Sequence, residues 1–302
     1  MNHPMSTFFN ILPMLLIFLI GVIIRRTGIL SIRDAEALLK VVFNVTAPAL
    51  FIASVSQLKI GHDILLLPPL GIAMFFGIYL LALPLGKLLK LPRPTLGTFL
   101  LGSSIMNVTF VLPFFVAVYG IQEAGRISFL DLGNALVVFT FGYALACKMG
   151  ENARSGNMAG RILTSPPIIG IVIGLVINLF SLHPPDPIMN TLTMLGTATL
   201  PMVMLALGMY YSPRIRNLPV TFLAIGLRML VGFGLGLLLA QVLGLTGINR
   251  VLLLLTASAP AGTNTLTFSV LEKLDTELAA SIVSTSILMG LVLVPVILML
   301  TS

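Results

Sequence analysis

TASAPAGTNTLT, residues 256–267, interrupts an apolar run that extends from 248 to 271. Pro260 has no N–H and disfavours helix at Ala259, and Gly262 loosens the turn that follows. The polar side chains of Ser258, Thr263, Asn264 and Thr265 gather at the same point. In water such a stretch is a loop. Inside a bilayer, interrupted backbone is tolerated only where it is buried in protein or lines a wet cavity. Residues 102–113, GSSIMNVTFVLP, have the same character.

The bilayer setting follows from composition. The chain has 302 residues, 57% of them hydrophobic and 9% charged, against about 25% charged in soluble domains. This is the composition of an all-α polytopic membrane protein. No loop is long enough to hold a separate soluble domain. The net charge of +7 is read as positive charge kept on the cytoplasmic side rather than as a nucleic-acid surface. Cys147 is the one cysteine, and His3, His62 and His183 are scattered, so no disulfide, metal or cofactor is expected. The first apolar segment, 8–24, lacks a basic stretch before it and a small-residue cleavage site after it, so it is not read as a signal peptide. Arg25 and Arg26 follow it and predict an outside N-terminus.

Ten apolar segments of spanning length are predicted: 8–24, 36–57, 64–87, 95–119, 127–148, 163–182, 188–210, 218–244, 248–271 and 277–301. With both termini outside, the cytoplasmic loops hold Arg25, Arg26, Arg33, Lys40, Lys87, Lys90, Arg93, Lys148, Arg154, Arg161, Arg214, Arg216 and Lys273. Only Lys59, Arg126 and Arg250 fall outside, and Arg228 lies within a segment. This asymmetry supports the count, and the plasma (inner) membrane is the expected location.

Five segments per half would start the second half on the opposite side. Pro13 and Pro166, Gly21 and Gly174, and Pro48 and Pro201 all share one offset of 153, which also sets Asn107 on Pro260. The halves, 1–150 and 151–302, therefore read as an inverted repeat with an interrupted segment in each. Paired interrupted segments point to a secondary transporter.

Several pieces carry a family resemblance: RTGILSIRDAEALLKVVFNVTAPALF after the first segment, SSIMNVTFVLPFF in the fourth, LPMVMLALGMYYSP in the seventh and SAPAGTNT in the ninth. The chain resembles the auxin efflux carrier family, whose bacterial members include permeases for small dicarboxylates. The fourth segment departs from that family's Asn-x-Gly-Phe-x-Gly-x-Pro pattern. Asn107, Phe110 and Pro113 match, but Thr109 and Leu112 replace the glycines. The resemblance implies ten helices in two inverted five-helix repeats, as in bile-acid and sodium/proton transporters, with broken helices four and nine crossing. It also implies a scaffold of helices 1, 2, 6 and 7, often dimeric, and a transport domain of helices 3–5 and 8–10 that moves as an elevator.

Half-helix N-termini at such breaks present free N–H groups to an anion. Asn107 and Asn264 can donate and accept. Ser104, Thr109, Ser258 and Thr263, with Ser103 and Thr265, are candidates to complete a site for a small carboxylate. Capping of the broken helices is the alternative for each. Pro113, Pro260 and Gly262 are read as shaping the breaks. Arg228, about 15 Å into its segment, needs a partner or a cavity. It is a candidate either for gripping a carboxylate or for an internal ion pair. Asp131 is a candidate proton carrier, sodium ligand, partner of Arg228 or interfacial acid, with Asn134 one turn on. Asn44 and Thr46 before Pro48, and Thr197 and Thr199 before Pro201, suggest paired kinks. Glu272, Lys273, Asp275 and Glu277 are expected in a solvated loop. No H-E-x-x-H, G-x-S-x-G or Walker-type loop is present, so no enzyme is predicted. The expectation is a secondary transporter of small organic anions, alone or with a proton. A channel or membrane sensor of the same fold is the alternative.

Overall fold

The computed structural model of the chain describes residues 4–150, 165–211 and 216–301. Arg154, Arg161 and Arg214 of the charge count lie outside the described residues, as do the start of the 163–182 segment and the first residue of the second half. All ten apolar segments are helical where described. In chain order they are α1 (Pro4–Arg26), α2 (Ile32–Ser56), α3 (His62–Leu88), α4a (Arg93–Ser104) and α4b (Val108–Tyr119), and α5 (Ile121–Met149). There follow α6 (Pro166–Leu179), α7 (Asp186–Tyr210), α8 (Leu218–Val242), α9a (Gly247–Ala257) and α9b (Asn264–Leu271), and α10 (Thr276–Thr301). Seven of these helices are long and apolar enough to cross a membrane, and α4b, α6 and α9a are shorter apolar helices. The chain is a multi-pass membrane protein.

Between helices in a bilayer the hydrophobic effect does little, so close packing depends on small residues. Gly21 of α1 and Gly208 of α7 face each other so tightly that a Cβ at Gly21 would strike the Leu205 carbonyl and one at Gly208 the Phe18 carbonyl. Gly174 of α6 does the same on α2, where a Cβ would lie 2.9 Å from Val55 Cβ. Asn178 then clamps α6 to the end of α2. Its amide donates to the carbonyls of Val55 (2.9 Å), Ser56 (3.1 Å) and Leu58 (2.7 Å). Thus α1 packs on α7 and α6 on α2. Gly71 and Gly133 bring α3 and α5 together in the same way. The first turns of α3, α5 and α9a are tied by Arg126, which donates to Asp63 (3.0 Å), Glu123 (2.5 Å) and Asn249 (2.8 Å). Asn249 in turn donates to Asp63. Apolar side chains such as Leu19 and Ile23 of α1, Val172 and Val176 of α6 and Leu230 and Leu238 of α8 point outward.

Two sequence expectations change. A π-helical turn does interrupt α2 at Val42–Thr46, but α7 is α-helical through Pro201. In α2 the Asn44 amide donates to Lys40 O, and in α7 it is the Thr197 hydroxyl that donates to Thr193 O. The kinks are therefore not a matched pair. The 272–277 loop is only partly solvated. Glu277 is exposed and paired with Arg216, but Glu272 is buried and accepts from the Tyr143 hydroxyl at 2.8 Å. Asp275 accepts from Thr95 at 3.1 Å and from the Leu278 N–H at 3.0 Å, capping α10. A charged run adjoining a helix start folds inward when backbone donors await it.

Candidate functional site

Helix α4 stops at Ser104 and resumes at Val108, and helix α9 stops at Ala257 and resumes at Asn264. The two interruptions meet. Met106 and Ala261 pair antiparallel. Asn107 N donates to Pro260 O at 2.9 Å, and Gly262 N donates to Ile105 O at 2.9 Å. Gly262 permits this approach, because a Cβ there would collide with Ile105. Gly290 of α10 makes room for the Pro260 ring and for Phe110.

The interrupted backbone needs partners, since an unpaired buried group costs about as much as a lost hydrogen bond. Four of them come from side chains on other helices. Ala261 N donates to Ser286 Oγ of α10 at 3.0 Å. Met106 O accepts from the Asn134 amide of α5 at 3.5 Å. Ser104 O and Ala257 O, the terminal carbonyls of α4a and α9a, accept from Arg228 at 3.2 and 2.7 Å. Neither Ser286 nor the carbonyl role of Arg228 is legible in the sequence, because a backbone partner leaves no residue-type signature.

Asn107 caps α4b: its Oδ1 accepts from Phe110 N at 3.1 Å. Its Nδ2 is buried with no hydrogen-bond partner. The Ser104 and Thr265 hydroxyls and Asn134 Oδ1 are likewise buried and unpartnered. Ser258 is different. Its hydroxyl turns back onto the Leu254 and Leu255 carbonyls of its own helix at 2.8 and 3.1 Å, as does that of Ser103 onto Phe99 O. Thr109 and Thr263 are exposed and Asn264 is half-buried, all at the first turns of α4b and α9b. Pro113 is buried within α4b. Asp131 stands well inside α5 rather than at its N-terminus. It accepts from Asn134 at 3.0 Å, and Arg228 takes two carbonyls in place of a carboxylate. Among the described residues no group of three or more His, Cys, Asp or Glu could hold a metal ion.

At this junction two half-helix N-termini open beside a cluster of unpartnered amides and hydroxyls, within a helical membrane body. The comparisons with known proteins bear on the membrane body as a whole. A model of the family described as "Membrane transport protein" matches residues 6–298. A protein described as an uncharacterised transporter from Methanocaldococcus jannaschii is 26% identical over 281 residues, covering 90% of this chain and 91% of that one. Another so described, from Methanothermobacter thermautotrophicus, is 28% identical over 303 residues, covering 95% of each. Both relatives are archaeal and match along nearly their whole length. The chain belongs to the membrane transport protein family, that of the auxin efflux carriers.

Proposed function

We propose that this transporter moves small organic anions, carboxylates among them, by alternating access at the paired breaks. The observation that carries the reading is the unpartnered Nδ2 of Asn107, a buried donor at the N-terminus of α4b. The positive dipole ends of α4b and α9b favour an anion, although the N–H groups of Phe110, Thr265 and Leu266 are already bonded within their own first turns. Asn264, Thr109 and Thr263 stand at the same two turns and complete the contact set. Ser104 adds a hydroxyl, while Ser258 and the shaping residues Pro113, Pro260 and Gly262 hold the break open. Asp131 reaches the site through Asn134. Ionised, it opposes an incoming anion; protonated, it does not, so the anion enters with a proton.

The reciprocal packing of α1 on α7 and α6 on α2 supports two inverted five-helix repeats, 1–150 and 151–302, making ten membrane helices in all. It also supports α1, α2, α6 and α7 as the scaffold, through which the protein dimerises. The Arg126 network, confined to α3, α5 and α9a, supports helices 3–5 and 8–10 as the moving elevator body. Both termini face outward from the plasma membrane. The test is uptake into proteoliposomes of radiolabelled acetate and succinate against their neutral amides. Saturable uptake of the acids, accelerated by an inward proton gradient, is expected. A conductance far above carrier turnover, or equal uptake of the amides, refutes the reading.

A further inference from the structure

We propose that Arg228 is a positioning residue that never touches the transported anion but sets the sign of the field at the site. It is the largest fully buried side chain among the described residues, at 0% exposure. It sits in a π-helical turn of α8, Gly226–Val231, a local distortion of the kind often found at functional sites. Nη1 donates to Ser104 O of α4a and Nη2 to Ala257 O of α9a, while Nε is buried without a partner. These are the C-terminal carbonyls of the two half-helices that lead into the breaks. Gly232, one turn further along α8, is cut back to let this happen, because a Cβ there would strike Ala257 O and lie 3.0 Å from Arg228 Nη2. Gly236 accommodates the Ala257 side chain in the same way.

The charge balance follows from the dipoles. A helix end carries about half an elementary charge, negative at the C-terminus and positive at the N-terminus. The C-terminal ends of α4a and α9a together bring about one negative charge to the junction, and the N-terminal ends of α4b and α9b about one positive charge. Four helix ends meeting at one point would cancel. Arg228 neutralises only the negative pair, by direct hydrogen bonds, and so leaves the positive pair uncompensated. It binds both half-helices at once, which also fixes their spacing. The anion preference then resides in a residue buried behind the site, and the carboxylate is met by uncharged amides and hydroxyls. This assignment rests on the reading of the breaks as the anion site, while the double carbonyl contact stands apart from it.

The experiment compares wild type with Arg228→Met, similar in shape and uncharged, and Arg228→Lys, which keeps the charge. Amide hydrogen exchange is followed by mass spectrometry on peptides spanning 101–112 and 255–266. Arg228→Met is expected to speed exchange in these two peptides alone by about tenfold, with Arg228→Lys close to wild type, as expected for a lost charge–dipole contact. In proteoliposomes the ratio of acetate and succinate uptake to uptake of their amides should fall about tenfold in Arg228→Met and be restored in Arg228→Lys. Unchanged exchange in both peptides overturns the clamp. Equal loss of acids and amides overturns the field assignment and makes the residue merely structural. If the wild type takes up no carboxylate while the exchange pattern holds, it is the anion reading that falls and the clamp that stands.

Discussion

Asn107 carries two jobs on two different atoms, and one substitution separates them. Its Oδ1 caps α4b by accepting from Phe110 N at 3.1 Å, while its Nδ2 is buried and unpaired. Asn107→Ser keeps an N-cap acceptor of comparable quality and removes the amide donor. For the empty protein the loss of Nδ2 costs nothing, because no hydrogen bond is broken. It removes an unsatisfied buried donor, a liability of about 1–3 kcal/mol, offset in part by the small void left behind. The variant should therefore melt at or above the wild-type temperature. For the anion-bound protein the same change deletes one hydrogen bond to a charged group, worth about 1.5–3 kcal/mol. At about 1.4 kcal/mol per decade, carboxylate affinity falls by about 10- to 150-fold. Asn107→Ala additionally loses the cap and should cost about 1 kcal/mol of stability. The assay is a thermal-shift titration of purified protein with acetate and succinate, wild type and both variants side by side. If Asn107→Ser retains wild-type carboxylate affinity while only Asn107→Ala melts lower, Asn107 is a cap and nothing more.

Two further outcomes are expected. Asp131→Asn keeps an acceptor for Asn134 but cannot take up a proton, so uptake should persist and lose its dependence on a proton gradient; an unchanged dependence excludes Asp131 as the carrier. Asn178→Ala strips donors from three carbonyls at the end of α2, which at about 1 kcal/mol per net hydrogen bond should lower stability by about 2–3 kcal/mol. Proteolysis or thermal unfolding in detergent reads this, and a loss below about 0.5 kcal/mol would show that water replaces the amide.

The apolar segments could be read directly, because crossing a bilayer demands long apolar runs and leaves few alternatives. The observed helices begin and end within a few residues of the predicted ones, as at 186–210 against 188–210. The breaks were legible for the same reason: Pro260 and Gly262 are costly inside a membrane helix and stand out against the apolar background. Their pairing was legible only through the shared offset of 153, which set Asn107 opposite Pro260. What escaped were contacts made across long sequence separations, most of them to backbone groups. Arg228 looked like a charge in need of a carboxylate, and it meets two carbonyls contributed by residues 124 and 29 positions away. Nothing in the sequence marks Asn178 as the clamp between α6 and α2. Glu272 looked solvated because its neighbours Lys273, Asp275 and Glu277 are charged, yet Tyr143, 129 positions earlier, holds it inside. Side-chain types advertise chemistry, but the acceptor on a distant carbonyl is set by the fold alone.

The two hydrogen bonds that join the breaks also impose an order on biosynthesis. Asn107 N and Ile105 O emerge from the ribosome about 155 residues before Gly262, which at about 5–20 residues per second is a wait of about 8–30 s. During that interval the first break has neither Pro260 O nor Gly262 N to meet, and Arg228 has not yet arrived to take the Ser104 carbonyl. The N-terminal half therefore cannot complete its own interior. It must be held where water or another protein can satisfy residues 104–107, and release into lipid has to await the second half.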